Sequence, residues 1–234
     1  MSPIQLLLVI IAGYLLGSIP NAYLVTLVVK RINIFEVGSG NMGGTNVART
    51  LGLPWGVFTS ILDAIKGIIA VVVAQIIMGA PISIIPVMST GLSESLLIPS
   101  AVAGVAAVAG HNWSFFATLL YTYYQKTFAI RGGKGAATAF GSMIAILPIF
   151  PNALLLIVGV SIAVFTRYAS LSVLVSFSVA FIWVIGWSVL GDTVSNLHII
   201  YVVLLAVLIV WRFRENIKQL AAGTERRLGE RVQT

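Results

Sequence analysis

A polar, glycine-rich stretch at residues 38–49, Gly-Ser-Gly-Asn-Met-Gly-Gly-Thr-Asn-Val-Ala-Arg, carries the side chains best suited to chemistry in an otherwise apolar chain. Its glycines let backbone N–H groups turn toward a guest and let that guest come close. Four side chains add hydrogen-bonding groups: Ser39, Asn41, Thr45 and Asn46. Arg49 adds a planar fork that suits a phosphate, so the stretch predicts an anion-binding loop. A turn at the membrane surface is the alternative, but a turn needs fewer such residues.

A second glycine-rich stretch, Gly132-Gly133-Lys134-Gly135, follows Arg131 and leads into the start of a helix. It offers backbone N–H groups, a point charge and the positive end of a helix to an anion. Alone, this pattern is equally typical of a flexible basic loop. Together with the 38–49 loop it favours a second anion-binding element.

Polar residues also lie within apolar runs. Asp63 and Lys66 are three residues apart, on one face of a predicted helix, where they can form an ion pair. An intramembrane pair marks a site or its scaffold. We interpret it as structural support, because a pair that neutralises itself is a poor catalyst. His111 is a candidate base, and a hydrogen-bonded packing histidine is the alternative.

Three further polar residues lie where apolar runs meet charged ones. Ser170 follows Arg167 and can either line a cavity or cap the next helix. Glu215 and Asn216 begin the charged tail and are also typical of an interfacial helix face.

The composition defines the fold class. Of the 234 residues, 59% are hydrophobic and 9% are charged, against about 25% charged in soluble domains. The chain is therefore predicted to be an all-α, polytopic membrane protein with one integral-membrane domain over residues 1–234. The absence of cysteine excludes disulfides and thiolate metal sites, and with two histidines and seven acidic residues we expect no metal and no cofactor. The first apolar run lacks a preceding basic region and is interpreted as a permanent span, not a cleaved signal peptide.

Apolar runs of about 20 residues predict the membrane spans. They lie at residues 4–29, 55–78, 97–120, 136–148, 153–166, 171–190 and 197–211. The fourth is short for a full crossing and is either a short or tilted span or a re-entrant segment. The charged tail at 212–234 is expected to be helical.

Charge placement predicts the orientation. With about seven crossings and the N-terminus outside, all of the 14 lysines and arginines except Lys66 face the cytoplasm. They lie in loops 30–53, 121–135 and 167–170 and in the tail, whereas the outer loops 79–96, 149–152 and 191–196 contain none. Six crossings would place one basic cluster outside. The net charge of +7 therefore reflects orientation and anion binding, and we expect no nucleic-acid partner.

Two anion-binding loops at the cytoplasmic mouth of an apolar bundle suit a reaction that joins a water-soluble phosphate compound to a fatty group. A transporter or flippase for an organophosphate would use the same loops without chemistry. We favour it less because the sequence has no internal repeat of the kind that many transporters carry.

Six motifs occur in an order that is similar to a known family. They are Ser-Gly-Asn-Met-Gly-Gly-Thr-Asn-Val-Ala-Arg at 39–49, Asp-Ala-Ile-Lys-Gly at 63–67, Gly-His at 110–111, Gly-Gly-Lys-Gly-Ala-Ala-Thr at 132–138, Thr-Arg-Tyr-Ala-Ser-Leu-Ser at 166–172, and Arg-Glu-Asn-Ile-Lys at 214–218 with Gly-Thr-Glu at 223–225. Together, over nearly the whole chain, they resemble the bacterial acyl-phosphate:glycerol-3-phosphate acyltransferase family.

The resemblance implies a seven-span enzyme of the bacterial inner membrane. It would move a fatty acyl group from acyl phosphate to the sn-1 hydroxyl of glycerol 3-phosphate, giving lysophosphatidic acid and phosphate for phospholipid synthesis. Its partners would be these two substrates and membrane lipids, with no protein partner implied. An acyltransferase with another polyol-phosphate acceptor stays open as an alternative.

The motifs assign expected roles. The expected catalytic residues are Ser39, Asn41, Arg49, His111 and Ser170. The expected substrate-binding residues are Thr45, Asn46, Gly132, Gly133, Lys134, Gly135 and Asn216, with Asp63, Lys66 and Glu215 as structural support. Because acyl phosphate is already activated and no Ser-His-Asp set is evident, we expect no acyl-enzyme. The base is either His111 or a substrate phosphate.

The sequence departs from the family pattern at four places. Phe213 stands where the family usually has His, Ser114 where it has Pro, and Gly44 where it has Ala, and extra residues lie within 117–130.

Overall fold

The computed structural model of the protein describes residues 1–82, 92, 94–190 and 195–230. Within these residues the chain forms ten α-helices. They are α1 (Pro3–Gly17), α2 (Asn21–Lys30), α3 (Gly44–Leu51), α4 (Leu53–Ile77), α5 (Glu94–Asn112), α6 (Phe115–Gln125), α7 (Ala136–Ile146), α8 (Ile149–Thr166), α9 (Ala169–Leu190) and α10 (Asn196–Ala221). The all-α prediction is confirmed.

Six apolar segments among the described residues are long enough to cross a membrane. They are Pro3–Lys30, Leu53–Ile77, Ser95–Asn112, Ile149–Thr166, Ala169–Val189 and Asn196–Ala221. The fourth predicted span, at 136–148, is the shorter helix α7, Ala136–Ile146. The chain is therefore a multi-pass membrane protein, while seven crossings and the orientation stay predictions. The predicted outer loops 79–96 and 191–196 lie largely outside the described residues.

The first predicted span is broken in the middle. The helix α1 ends at Gly17, and α2 begins at Asn21, directly after Pro20. Proline has no N–H and is tolerated only in the first turn of a helix, which explains why a new helix starts here. At the break the Ile19 carbonyl group accepts from Lys66 of α4, and the side-chain amide of Asn21 donates to Asp63 of the same helix.

The third predicted span also divides in two. The helix α5 stops at Asn112, and α6 begins at Phe115 with Ser114 as its N-cap, whose hydroxyl accepts from Ala117 N–H. The Ser114 N–H donates to the carbonyl group of Arg131 over 2.8 Å. Residues 121–125, which the sequence placed in a loop, thus belong to a separate helix, and the extra residues within 117–130 are helical as far as Gln125. This helix brings the chain back toward the second glycine-rich loop.

The short helix α7 packs closely on α4. A Cβ atom at Gly67 would collide with the Thr138 carbonyl group, and one at Gly141 with that of Ala64. Glycine at these positions lets the two backbones approach. The buried amide of Asn152 caps the other end of α7 by donating to the carbonyl groups of Met143, Leu147 and Pro148.

The main hydrophobic core joins α7 to the last two helices. It includes Met143, Phe177, Tyr201 and Leu205, all buried. Beyond Ala221 the chain turns back toward Arg167, at the end of α8. Leu228 N–H donates to the Arg167 carbonyl group over 2.6 Å, and the Arg167 guanidinium donates to the Leu228 carbonyl group. The predicted helical tail is thus a continuation of α10 followed by a returning strap, residues 222–230.

Candidate active site

The 38–49 loop folds around the side chain of Asn46. Gly38 and Gly40 both have φ of 63°, a left-handed conformation that favours glycine. The Asn46 amide is buried and makes three hydrogen bonds within the loop: it accepts from Ser39 N–H and donates to the carbonyl groups of Val37 and Asn41. Since its donors are used inside the loop, we propose that Asn46 positions the loop and does not bind substrate directly.

Arg49 lies on α3, the helix that follows this loop. Its buried Nε atom has no hydrogen-bond partner among the residues that the structure describes. Burial lowers the pKa of Arg49, and the carboxylates of Glu225 and Glu230 partly oppose this shift. A half-buried guanidinium with an unused donor is suited to bind an anion that is absent from the chain itself.

The second glycine-rich loop is tied to the first by its backbone. Met42 N–H donates to the Gly132 carbonyl group over 3.3 Å, and Gly133 N–H donates to the His111 carbonyl group over 2.9 Å. The Arg212 guanidinium, from α10, donates through two nitrogens to the Gly133 carbonyl group over 2.9 and 2.6 Å. The loop is therefore fixed between α5, α10 and the first loop. Gly135, with φ of 72°, ends it and begins α7.

Lys134 links this loop to the C-terminal motif. Its ammonium group donates to the Asn216 side-chain oxygen, and the Asn216 amide donates to Glu225 over 2.8 Å. The ammonium also lies 5.0 Å from the centre of the Phe213 ring, where the family pattern has a histidine. Burial lowers the pKa of Lys134 to about 8.

Other charges act on the same ammonium. The carboxylate of Glu225 opposes the lowering of the Lys134 pKa, whereas the guanidinium groups of Arg49 and Arg212 add to it. Lys134, in the loop before α7, is therefore close enough to be affected by two cations from other elements, Arg49 on α3 and Arg212 on α10. We call the region around these three cations and Glu225 the cationic cleft. Glu225 is linked to Lys134 through the side chain of Asn216.

A buried polar cluster adjoins the second glycine-rich loop through His111. Lys66 and Asp63 form the predicted ion pair at 3.0 Å, and both side chains are almost fully buried. Asn21 donates to Asp63 over 3.0 Å. Lys66 also contacts the Ile19 carbonyl group at 3.1 Å and the His111 Nδ1 atom at 2.8 Å. The proposed scaffold thus joins α2, α4 and α5 at one point.

The structure does not bring every predicted residue into these contacts. Ser39 is exposed, and its hydroxyl accepts from Asn41 N–H at 3.4 Å. Ser170 is buried at the start of α9, with no partner for its hydroxyl within the described ranges. Glu215 lies on an exposed face of α10, paired with Arg214 and Lys218, and such surface pairs add little stability. The roles of these residues stay predictions.

Sequence reasoning passed over two residues of the cleft, Arg212 and Glu225. Arg212 was counted as the first charge of the tail, yet it clamps the Gly133 carbonyl group. Glu225 belongs to a quoted motif, but nothing in its spacing from Asn216 showed that the strap folds back to meet it. In the described ranges no group of three or more acidic, histidine or cysteine residues is placed to hold a metal ion.

The fold and the cleft define a class: a multi-pass helical membrane protein in which two glycine-rich loops and the C-terminal motif bring cations together. The model of the glycerol-3-phosphate acyltransferase family matches residues 7–223. The chain belongs to this family.

Named relatives are similar to this chain over nearly its full length. The glycerol-3-phosphate acyltransferase of Thermoanaerobacter pseudethanolicus is 36% identical over 225 residues, covering 95% of this chain and 96% of the relative. That of Thermus thermophilus is 36% identical over 231 residues, 96% of each chain.

Two crystal structures of PlsY (YgiH), an integral membrane glycerol 3-phosphate acyltransferase, share the fold. The glycerol 3-phosphate form has a TM-score of 0.74 at 31% identity, and the lysophosphatidic acid form a TM-score of 0.70 at 30% identity. Each alignment covers 96% of both chains.

Proposed function

We propose that this protein transfers a fatty acyl group from acyl phosphate to the sn-1 hydroxyl of glycerol 3-phosphate. The observation that carries the proposal is that Arg49 and Lys134, one from each glycine-rich stretch, are electrostatic neighbours and that the carboxylate of Glu225 acts on both. Both substrates carry a phosphate, and two fixed cations can hold two phosphates in one orientation. The names of the relatives and of the PlsY structures support glycerol 3-phosphate as the acceptor.

The reaction requires alignment and charge stabilisation more than a nucleophile from the protein. The hydroxyl oxygen of glycerol 3-phosphate forms the new ester bond to the acyl carbon, and the bond from that carbon to the phosphate oxygen breaks. The electron pair of the broken bond leaves with the phosphate. The released phosphate takes up the hydroxyl proton, so the overall reaction needs no proton acceptor from the chain. Arg49 and Lys134 would stabilise the charge that grows on the phosphate.

The proposed setting is the inner membrane of a bacterium. We take the chain to cross seven times, including α7, with the N-terminus outside. Both loops, the cleft and the strap then face the cytoplasm, from which water-soluble glycerol 3-phosphate would enter. The distribution of lysine and arginine supports this orientation. The acyl chain would lie among the apolar helices while its phosphate reaches the cleft.

Phosphate release is the direct test. Purified protein in detergent receives palmitoyl phosphate, and inorganic phosphate and lysophosphatidic acid are measured with and without glycerol 3-phosphate. We expect release that depends on glycerol 3-phosphate and is matched by lysophosphatidic acid. Arg49→Ala should lower kcat/KM by about 100-fold or more while the protein stays folded.

Arg214→Ala is the matched control, because Arg214 is an exposed arginine that stacks on Trp211 and pairs with Glu215, and it is not among the groups that act on Lys134. Near-normal turnover of the Arg49→Ala enzyme would contradict the proposed role of the cleft. A folded wild-type protein that releases no phosphate would instead favour the transporter hypothesis, and release with another polyol phosphate alone would identify a changed acceptor.

A further inference from the structure

The buried ion pair with Asp63 favours the charged form of Lys66, and the contacts of that ammonium group account for all of its donors. A lysine ammonium group has three N–H donors and no acceptor. Lys66 Nζ has three neighbours at hydrogen-bond distance: Asp63 Oδ1 at 3.0 Å, the Ile19 carbonyl oxygen at 3.1 Å and His111 Nδ1 at 2.8 Å. The Ile19 carbonyl oxygen carries no hydrogen and can only accept. The Asp63 oxygen, which also accepts from Asn21, is the anionic partner of the ion pair. All three donors of a charged Lys66 are thus used, one for each neighbour.

With Lys66 charged, the same count gives the tautomer of His111. Because Lys66 donates to Nδ1, this nitrogen must carry a lone pair and no proton. A neutral imidazole has one N–H group, which must then be on Nε2. A doubly protonated ring would direct an N–H group at the ammonium 2.8 Å away. His111 is therefore neutral, with a donor at Nε2 and no free acceptor nitrogen.

The Nε2 atom lies where the two glycine-rich loops meet. A Cβ atom at Gly133 would collide with Nε2 and with the Met42 carbonyl group, so the ring edge packs against both loops. No hydrogen bond to Nε2 is found in the part of the chain that the structure describes, since the ring contacts found there are those of Nδ1 to Lys66 and Asp63. The buried ion pair thus orients a histidine donor toward the junction of the loops.

We infer that His111 is a hydrogen-bond donor to a substrate phosphate oxygen through Nε2, and that Lys66 and Asp63 are positioning residues that hold it in this tautomer. This inference rests on the proposed function for the identity of the substrate. It assigns His111 a catalytic role opposite to that of a base, since a nitrogen that already carries a proton takes up none. No proton is transferred to or from His111 in this role. It adds one neutral donor to the cations Arg49 and Lys134 where the leaving phosphate gains charge.

The tautomer can be measured without any turnover. The chain has only two histidines, so ¹⁵N NMR of protein labelled at histidine in detergent gives two rings, and the signals that disappear in His111→Gln belong to His111. We expect the His111 Nε2 signal in the range of a protonated nitrogen and the Nδ1 signal in the range of an unprotonated one. A protonated Nδ1, with or without a proton on Nε2, would overturn the inference.

Binding is tested with inorganic phosphate and with glycerol 3-phosphate as separate probes. Either probe should shift the Nε2–H proton signal of His111 while the signals of His198, at the start of α10, stay in place. If neither probe moves the Nε2–H signal, although both bind by calorimetry, then His111 does not contact the phosphate. This readout is independent of acyl transfer, so its failure is distinguishable from failure of the proposed function.

Two substitutions separate a donor from a base. His111→Gln places an amide N–H near the position of Nε2, whereas His111→Phe keeps the ring shape and removes the donor. We expect His111→Phe to lower kcat by about 100-fold or more, and His111→Gln to retain kcat within about tenfold of the wild type. KM for glycerol 3-phosphate should change by less than about threefold in both, since Lys134 and Arg49 keep their charge. Equal loss of kcat in the two variants, with both folded, would refute the donor role.

Discussion

The lysine of the second loop should impose an alkaline limit on the enzyme. Burial, with the added repulsion of Arg49 and Arg212, lowers the pKa of Lys134 from 10.5 to about 8, although Glu225 opposes the shift. If the ammonium binds a phosphate, the competent fraction of free enzyme falls above this pH. The value of kcat/KM for glycerol 3-phosphate should then fall about tenfold for each pH unit above about 8.

A bound phosphate is an added negative neighbour and raises the pKa of the ammonium, so kcat should fall only at higher pH. Arginine stays charged at these pH values. Lys134→Arg should therefore lose the fall near pH 8, even if its kcat/KM at pH 7 is about tenfold lower because the fork fits the site differently. Initial rates from pH 6.5 to 9.5, with saturating acyl donor, measure both limbs. A fall near pH 8 that persists unchanged in Lys134→Arg would refute the reasoning.

The same lowered pKa predicts a gain in stability when the charge is removed. Between pH 8 and 10.5 the unfolded chain binds more protons at Lys134 than the folded chain does, so the free energy of unfolding rises with pH in this window. At about 1.4 kcal/mol for each pKa unit, holding the charge at pH 7 destabilises the fold by on the order of 3 kcal/mol. Lys134→Met should thus be inactive and yet more resistant to thermal unfolding at pH 7. A less stable Lys134→Met protein would show that the Asn216 contact outweighs the burial of the charge.

Three further changes test the surroundings of the cleft. Glu225→Gln removes a carboxylate that raises the pKa of Lys134, so the alkaline fall in kcat/KM should begin at lower pH, and an unchanged profile would contradict the contact through Asn216. Phe213→Leu removes the ring beneath the ammonium, which should lower the same limit by roughly 0.5–1.5 pH units, as pH–rate profiles will show. Gly141→Leu should lower the free energy of unfolding by about 1–3 kcal/mol or more, because it forces α7 away from α4. Gly186→Leu is the control, since a Cβ atom there meets nothing within 4 Å. Equal melting temperatures of the two variants would count against this packing.

The apolar runs predicted the bundle well because burial in lipid is a property of composition. The boundaries of α4 and α9 differ from the predicted spans by only a few residues. The two broken spans were not predicted, because an apolar run looks continuous whether its helix is continuous or not. Pro20 was a visible signal for the first break. The second break depends on the bond from Ser114 to Arg131, a contact between residues that are far apart in the sequence.

The candidate site was predicted as a set of motifs, but its organisation was not. The ion pair of Asp63 and Lys66 follows from helical spacing and is confirmed. The third partner of that lysine, His111, comes from another helix, and no spacing within the chain indicates it. The clamp of Arg212 on Gly133 and the return of Glu225 over the cleft likewise depend on tertiary packing.

The hydrogen bonds of the buried cations distinguish those that hold the structure together from those that are available to a substrate. Lys66 donates all three of its N–H groups to protein acceptors, so it has no donor left for a substrate. Arg212 directs two nitrogens at one carbonyl group, which fixes the guanidinium in place and leaves its other N–H groups available. Arg49 keeps a buried Nε atom without a partner among the described residues, and Lys134 has a lowered pKa that an added anion would restore. A buried charge without full compensation destabilises a fold. Its presence in the cleft is explained if the missing partner is the phosphate of a substrate, whose binding should then raise the melting temperature of the wild type and leave that of Arg49→Ala nearly unchanged.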